Sequence, residues 1–518
     1  MLRSWNGERA ERLARLFRAL AGVASAAAIG LFLAVALARV GFPYELEWME
    51  GGVLDHVARV AEGRPLYVAP SLEFTPFLYT PLFYWVCAPL VRIFGVELWV
   101  LRAVSISATL ALLGLLGYAV SRDARDRVAG LVAAGLFAAT FAASGGWLDL
   151  ARVDALSLLL LFAGAWLLVR DERHDFVAGT LLAAAVLTKQ TALVVAVFLC
   201  ATRLVTGHGW GRARPSLVVS GWLAAAVVLL ERSSSGWFLF YVWDLPRAHG
   251  MALPHAVDFW REDLLATVPF VLALALLHLA SSRWGGATAG RWGAVTGMLV
   301  ASWGARAHVG GWSNVLLPAY LALSWMAGEA IARVRPGDGT VPERAPAGSA
   351  SWLVPALVLA QIAWLGYRPA PNLPTEADRR ALGELVERLR SIEGPVLAPA
   401  HTQLGRLAGA DATAHEMALI DVLRSDRLVV AHALRQDIRR ALRERRYAAV
   451  VLDHEWWGRE LRRSYRPLLP PPVGDPEALW TRAGKPTRPA QLWVPRGSRT
   501  ASAGAERGGD GGSPAASP

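Results

Sequence analysis

The chain has 518 residues, of which 54% are hydrophobic and 18% are charged. Soluble domains contain about 45–50% apolar and about 25% charged residues, so this composition excludes an ordinary soluble enzyme and a disordered or fibrous protein. The formal net charge is +11, and the basic residues are mostly Arg in short runs between apolar segments. That pattern is typical of a multi-pass membrane protein and argues against nucleic acid as a partner.

The N-terminal region starts with a basic stretch, 1–16, followed by an apolar run at about 16–40. The run is longer than the apolar part of a signal peptide and no convincing cleavage site follows it. We therefore expect a cytoplasmic N-terminus and a retained first transmembrane helix. Cys87 and Cys200 both lie in apolar stretches, so no disulfide framework or Cys-based zinc site is expected.

A membrane-spanning helix needs about 20 mostly apolar residues. With 78–94 as an interfacial helix that does not cross, the distribution of Arg and Lys favours eleven crossings and an external C-terminus. The two short apolar stretches within 176–204 form either one helix broken at Lys189 or a helical hairpin. The expected spans are 17–40, 99–120, 128–145, 152–170, 176–188, 190–204, 215–231, 263–281, 289–305, 314–333 and 351–368.

After Tyr367 the long apolar spans give way to amphipathic helical patterns and short apolar runs. Thr375 and Asp378 predict the N-terminus of a helix over 375–391, and a second, Arg-rich helix is expected at about 425–445. Two short apolar runs, 395–400 and 448–453, predict buried strands. The fold class is thus a mainly α polytopic membrane protein of about 11 transmembrane helices with a small C-terminal α/β domain. The expected divisions are a transmembrane domain, 17–368, with a large first outer loop, 41–98, an extracytoplasmic domain, 369–498, a flexible loop, 336–350, and a disordered tail, 499–518.

The first outer loop carries three carboxylates within six residues, Glu45, Glu47 and Glu50. Carboxylates clustered at a membrane interface raise one another's pKa, which suits a general base or a cation site. The alternative is a set of solvated charges that ends a helix. The next residues, 53–61, have the pattern of an amphipathic helix that lies on the membrane surface.

Three further polar clusters are expected on the same outer side. Each has a plain structural alternative. It is the N-cap of a span for the cluster with Asp154, a snorkelling lysine for Lys189, and a tight polar turn for the cluster with His308. Glycines next to Arg, His and Asn donors suit a phosphate or sugar ligand. The clusters are Asp149, Arg152 and Asp154; Lys189 and Gln190; and Arg306, His308 and Asn314.

In their order along the chain, these motifs resemble the GT-C superfamily of polytopic glycosyltransferases over about residues 15–335. The motifs are the acidic first loop, Gly-x-Pro-x-Tyr, Arg-x-Asp, Leu-Thr-Lys-Gln and His-x-Gly-Gly-x-x-Asn. The resemblance is closest to the aminoarabinose-transferase and protein-mannosyltransferase-like branch and to bacterial RgtA/B/C/D-like members. The family's usual Asp-Glu or Asp-x-Asp is Glu45-Leu46-Glu47 here, which leaves the identity of the base open.

The resemblance implies transfer of a sugar from a polyprenyl-phosphate donor to a lipid, glycan or protein acceptor at the outer face of the inner membrane, commonly with inversion. Glu45 or Glu47 is then the base, with Glu50, Asp149 and Asp154 as secondary acidic residues. The expected phosphate or donor ligands are Arg152, Lys189, Gln190, Arg306, His308 and Asn314. Some superfamily members use a divalent cation, Mg²⁺ or Mn²⁺, and others use none.

Two other functions compete with this one. A transporter or lipid flippase would place charges near the bilayer midplane, where only Lys189 qualifies, and would show repeated halves. A non-catalytic scaffold would not need acidic and basic groups converging on one side. His401, Asp453 and His454 follow the predicted strands of the C-terminal domain, where α/β sheets often bind ligands. They form a weaker candidate site, and the domain is expected to cover the active site or to help recognise the acceptor.

Overall fold

The computed structural model describes residues 2–283, 285–334, 351–425, 429–469 and 479–498. The loop expected at 336–350 and the tail expected at 499–518 lie outside these residues. The described chain is mainly helical, and it has one small sheet near its C-terminus, so the predicted fold class is confirmed.

Each expected membrane span contains a helix. The helices up to residue 364 are α1 Leu2–Val40, α2 Glu50–Ala61, α3 Leu82–Phe94, α4 Leu98–Ala124, α5 Arg127–Ala139, α6 Asp154–Arg170, α7 Asp175–Thr188, α8 Ala192–Thr206, α9 Arg214–Ser233, α10 Trp237–Leu239, α11 Leu245–Ala248, α12 Leu253–Asp258, α13 Pro269–Ser281, α14 Gly286–Ala307, α15 Leu317–Ala332 and α16 Leu353–Trp364.

Four described helical segments are long and apolar enough to cross a membrane, namely Arg9–Val40, Leu98–Ala124, Gly209–Ser233 and Ser313–Ala332. A bent helix pair would add a fifth span, and four further apolar helices are shorter. The chain is therefore an integral membrane protein, while the count of eleven crossings stays a prediction. Helix α3 has 13 residues, fewer than the roughly 20 that a perpendicular crossing requires.

Two breaks in the helices bear on the site. The stretch at 176–204 is broken between α7 and α8, at Lys189, Gln190 and Thr191. The span expected at 263–281 is not one straight helix, because the preceding helical segment meets α13 at an angle of 93°. Pro269 starts α13, and a proline lacks the N–H that would continue the hydrogen-bond pattern and restricts the residue before it.

The C-terminal region forms a four-stranded sheet flanked by helices. Strands β1 and β2 are parallel, whereas β4 runs antiparallel to both β2 and β3, in the order β1-β2-β4-β3. The elements are α17 Glu376–Arg390, β1 Val396–Leu397, α18 Thr402–Leu407, α19 Glu416–Leu423, α20 Val429–Arg443, β2 Ala449–Leu452, α21 Gly458–Ser464, β3 Tyr465–Pro467 and β4 Gln491–Pro495.

The sequence predicts part of this domain well. Thr375 and Asp378 form a reciprocal capping box, in which each side chain accepts a hydrogen bond from the other residue's backbone N–H. The two apolar runs became β1 and β2. Strands β3 and β4 were not predicted, because these short segments mix polar residues and proline with their apolar residues.

Helix α2 corrects the expectation of a helix on the membrane surface. Every residue from Glu50 to Ala58 is buried, and α2 packs against α3 and α18. One apolar core cluster joins Val53 and Val57 of this helix to Leu419 and Val450 of the C-terminal domain. The apolar face of α2 is therefore covered by protein, and the C-terminal domain packs directly on the first outer loop.

Candidate active site

A cavity of about 550 Å³ lies where the first outer loop, the membrane helices and the C-terminal domain meet. Its volume is within the range of about 300–1,000 Å³ that is typical of ligand pockets. The membrane-side wall includes the break between α7 and α8 and the segment between α14 and α15, and the opposite wall comes from α19 and the loop before β4. The cavity brings together the predicted residues Glu47, Arg152, Lys189, Gln190, His308 and Asn314.

Glu47 is fully buried, and only one of its two carboxylate oxygens has hydrogen-bond partners. Its Oε2 accepts hydrogen bonds from the Met49 N–H at 3.1 Å and from Arg152 Nη1 at 3.3 Å, whereas its Oε1 has no protein partner. Burial raises the pKa of Glu47 to about 8, although the Arg152 guanidinium opposes that shift. Arg152 is fixed in turn by the Tyr79 hydroxyl, which accepts from Nη2 at 2.7 Å. Glu47 is thus a carboxyl with a free oxygen and a pKa near neutrality.

The membrane-side wall holds a second charged pair. Asp154 starts α6, and its Oδ1 accepts from Lys189 Nζ at 2.6 Å and from Asn314 Nδ2 at 3.0 Å. Gln190 donates its Nε2 hydrogen to the Leu78 carbonyl at 2.7 Å. The predicted anionic partner of Lys189 is therefore supplied by the chain itself, and the lysine is held at the cavity by α6.

Glu45 faces the C-terminal domain. Its Oε2 lies 2.8 Å from His401 Nδ1, and the Gln403 N–H donates to its Oε1 at 3.4 Å. Asp453 Oδ1 lies 3.0 Å from the other ring nitrogen, Nε2. Burial alone lowers the pKa of His401, but the two carboxylates outweigh it and raise that pKa to about 10. The ion pairs fasten the first outer loop to the domain and engage both oxygens of Glu45.

Glu50 and Asp149 are not brought to the cavity. Glu50 is fully buried, and its oxygens accept from Arg102 Nε at 2.9 Å and Nη2 at 2.6 Å. Asp149 accepts from Arg39 Nε at 2.6 Å. Arg102 strongly lowers the pKa of Glu50 against the effect of burial. Both carboxylates are therefore placed as buried ion pairs that hold loops to helices.

Asp149 and Arg152 do not share a helix face, because α6 begins only at Asp154. Arg306 pairs with Asp263 Oδ2 at 2.8 Å and does not line the cavity, whereas His308 lines it. The His308 Nε2 atom lies 2.9 Å from the Pro246 carbonyl oxygen, which accepts a hydrogen bond from the ring.

The C-terminal domain adds residues that the sequence analysis missed. Asp421 on α19, Arg424 directly after the end of α19 and Lys485 in the loop before β4 all line the cavity. Burial raises the pKa of Asp421 to about 7, and its Oδ1 is buried without a hydrogen-bond partner. A signal was present for Lys485, because the sequence contains two lysines among 53 Lys and Arg residues. No local motif marks Asp421 or Arg424.

Within the described residues, no group of three or more His, Cys, Asp or Glu side chains is arranged to hold a metal ion. Glu47, which lines the cavity, and Asp154, which holds Lys189 behind it, each face a basic side chain instead. Divalent cations such as Mg²⁺ favour several oxygen ligands, so we derive no step through a metal from this set. His401 and Asp453 contact each other directly, and His454 lies 3.7 Å from Glu416.

Comparisons with known proteins agree with this architecture. Residues 78–234 match the family model of dolichyl-phosphate-mannose-protein mannosyltransferases. No curated protein sequence matches the chain. The structure is similar to ArnT from Cupriavidus metallidurans, solved both bound to undecaprenyl phosphate and in the apo state. In each case the TM-score is 0.53 at 13% identity, over 90% of this chain and 97% of ArnT. An Archaeoglobus fulgidus oligosaccharyltransferase, solved with Zn and sulfate, has a TM-score of 0.48 at 13% identity, over 84% of this chain and 68% of that chain.

The fold and the polar cavity beside its membrane helices are those of an integral membrane protein with an ArnT-like fold. The family-model match falls on α3 to α9 and on the segments between them, which carry Arg152, Asp154 and Lys189. Together these findings support the resemblance to the GT-C superfamily seen in the sequence.

Proposed function

We propose that the chain is a glycosyltransferase that moves a sugar from a polyprenyl-phosphate donor to a hydroxyl group of an acceptor. One observation carries the proposal: Glu47, whose Oε1 has no hydrogen-bond partner, lines the same cavity as Arg152 and Lys189. A base and cations in one cavity are what displacement of a phosphate from a sugar requires. The ArnT structure with undecaprenyl phosphate and the name of the matched family support a lipid-linked donor.

In the proposed reaction, Glu47 takes the proton from the acceptor hydroxyl as that oxygen attacks the anomeric carbon. A new carbon–oxygen bond forms while the bond from the anomeric carbon to the phosphate oxygen breaks. The electron pair leaves with the polyprenyl phosphate, whose charge Arg152 and Lys189 stabilise. A single displacement of this kind inverts the anomeric carbon. Glu47 is preferred to Glu45 because both oxygens of Glu45 are already engaged by the C-terminal domain.

The same proposal assigns the remaining partners. The lipid tail lies among membrane helices, the sugar lies in the cavity, and a lipid, glycan or protein acceptor enters beside the C-terminal domain. The charge distribution of the sequence favours the inner membrane with this domain outside. Asn314 and Gln190 would donate or accept hydrogen bonds at the donor sugar or phosphate.

The test is turnover of a panel of polyprenyl-phosphate sugars by purified protein in nanodiscs, with EDTA or with added Mg²⁺ or Mn²⁺. General-base catalysis contributes about 10²–10⁴-fold, so Glu47→Gln should lose about that factor in release of polyprenyl phosphate. The amide oxygen that this substitution introduces can still accept the hydrogen bonds from the Met49 N–H and Arg152 Nη1, so the variant should stay folded. Glu62→Gln, which alters an exposed pair with Arg64, is the matched control and should retain turnover.

The proposal is overturned if folded wild-type protein binds no polyprenyl-phosphate sugar, or if Glu47→Gln turns the donor over at the wild-type rate. In the first case, transport of a lipid becomes the next function to test, by following movement of labelled polyprenyl phosphate across vesicles.

A further inference from the structure

The use of lysine in this chain is selective. The sequence has 53 Lys and Arg residues, of which two are lysines, Lys189 and Lys485. Both line the same cavity, although they come from opposite walls. Arginine supplies the cation in the buried pairs with Glu47, Glu50 and Asp149. Lys189 belongs to the proposed donor site, and Lys485 has no role so far.

The loop that carries Lys485 is hydrogen-bonded to the first outer loop. The Thr481 N–H donates to the Thr487 carbonyl at 3.0 Å and closes the loop. The N–H groups of Arg482 and Ala483 donate to the carbonyl of Leu46, at 2.8 and 3.0 Å. Leu46 immediately precedes Glu47, so the position of this loop is tied to that of the proposed base.

Gly484 makes the closest approach. Its φ is +65°, a conformation that favours glycine, and a Cβ atom placed on it would lie 2.8 Å from Glu47 Cγ and 2.7 Å from a ring carbon of Trp147. A larger residue would push the loop and Glu47 apart. The loop therefore forms part of the cavity wall beside the base.

Lys485 has hydrogen-bond donors to spare. Its Nζ lies 4.3 Å from the centre of the Trp48 ring, and no ion pair in the described part of the chain includes it. By contrast, Lys189 Nζ lies 2.6 Å from a carboxylate oxygen, and Arg152 Nη1 lies 3.3 Å from one. Glu416 interacts with Lys485 only as a more distant charge. A cation–π contact leaves the ammonium N–H groups able to bind a second partner.

We propose that Lys485 is a further substrate-binding residue, whose ammonium binds a phosphate oxyanion in the cavity, that of the polyprenyl carrier. This inference rests on the proposed function. A compact ammonium with three donors is a common phosphate ligand, whereas a guanidinium suits planar, two-point contacts. The C-terminal domain thereby contributes a charge to the donor site, opposite the cations of the membrane-side wall.

The competing explanation is that Lys485 only packs on Trp48 and steadies the loop. The two explanations differ in what a ligand does to the amine. A phosphate bound to the Lys485 ammonium shields the amine from acylation. An uncharged lipid in the same cavity makes no ionic contact with the amine and leaves it open to acylation.

The first experiment labels the full-length protein in nanodiscs with trace acetic anhydride and measures acetylation of Lys189 and Lys485 by mass spectrometry. Undecaprenyl phosphate, undecaprenol and inorganic phosphate are added in turn. We expect undecaprenyl phosphate to slow acetylation of Lys485 and undecaprenol not to do so. Protection by undecaprenyl phosphate alone assigns the anion to the lipid, and protection by inorganic phosphate as well assigns it to the phosphate group itself. Equal acetylation of Lys485 in these three samples and in a fourth without any ligand overturns the proposal.

The second experiment measures the dissociation constant of undecaprenyl phosphate for three variants. A hydrogen bond to a charged group contributes about 1.5–3 kcal/mol, so Lys485→Met should weaken binding about tenfold or more, and Lys485→Arg should recover part of that loss. Arg488→Met is the matched control, because it removes a cation that stacks on Trp480 in the same segment without lining the cavity; its affinity should match the wild type.

The outcomes separate this inference from the proposed function. Wild-type protein that does not bind undecaprenyl phosphate contradicts the donor class itself. Wild-type binding that Lys485→Met leaves unchanged contradicts only the role of Lys485. A lower melting temperature for Lys485→Met with unchanged affinity would show that the residue merely packs on Trp48.

Discussion

The two walls of the cavity are built in different ways. On the membrane side, each cation has a carboxylate partner: Arg152 faces Glu47 and Lys189 faces Asp154. On the side of the C-terminal domain, Lys485 stacks on Trp48 and has spare donors. Each cation of the membrane-side wall thus has a partner before a ligand arrives, whereas Lys485 has donors left for an anion. Under the proposed function, the C-terminal domain therefore completes the site as well as covering it.

The same contrast exists within the first outer loop. Glu50 is held by Arg102 at 2.6 Å and by three backbone N–H groups, whereas one oxygen of Glu47 has no hydrogen-bond partner. Two carboxylates three residues apart therefore differ in their surroundings. Glu50 is fully engaged by the chain, whereas Glu47 has the unpaired oxygen that the proposed reaction uses.

The largest expected effect tests the stabilising member of this pair. Arg102→Met leaves the Glu50 carboxylate buried without its cation, which costs about 3–5 kcal/mol in comparable buried pairs. We expect a large fall in the melting temperature of the purified protein. Arg64→Met breaks an exposed pair with Glu62, worth about 0–1 kcal/mol, and should barely change it. A normal melting temperature for Arg102→Met would mean that Glu50 is not a structural residue.

The next effect concerns the free carboxyl. Because burial raises the pKa of Glu47 to about 8, the basic form is lost as the pH falls below that value. We expect kcat/KM to drop about tenfold per pH unit below 8 and about a hundredfold by pH 6. Asp421, with a pKa raised to about 7, is a second cavity carboxyl, so Asp421→Asn should leave the midpoint near 8. A midpoint at the ordinary value for glutamate, or one that moves in Asp421→Asn, would remove Glu47 from this role.

The smallest expected effect tests the contact between the walls. Gly484→Ala places a Cβ against Glu47 and Trp147, and overpacking of this kind costs about 1–3 kcal/mol. We expect a clear loss of turnover with only a small fall in the melting temperature. Gly497→Ala is the matched control, since Gly497 also has a positive φ, +88°, but has open space around it. Equal losses in both variants would show that backbone strain, and not the approach to Glu47, is responsible.

The sequence predicted the membrane-side wall better than the other wall. Glu47, Arg152, Lys189 and Asn314 stand in short polar motifs that interrupt apolar helices, and such interruptions are visible without a structure. Their meeting at one cavity agrees with the common side that the charge distribution indicated. Helix α2 was misplaced because its apolar face is the same whether a membrane or a protein domain covers it.

The rest depended on partners distant in the chain. Glu50, Asp149 and Arg306 have the same local appearance as the cavity residues, and only Arg102, Arg39 and Asp263 reveal that they are paired elsewhere. Asp421 lies on an ordinary amphipathic helix and Arg424 directly follows it, so nothing local distinguishes them from surface residues. The rarity of lysine was the one composition signal that pointed to the domain-side wall.

The most direct test of the account is a structure of the Glu47→Gln variant in nanodiscs with a bound polyprenyl-phosphate sugar. The account predicts that the sugar fills the cavity, with its anomeric carbon facing residue 47 across the space for one hydroxyl group. Its phosphate should lie within ion-pair distance of Lys485 and of a cation on the membrane-side wall. A sugar bound outside this cavity, or a phosphate that contacts neither wall's cations, would contradict it.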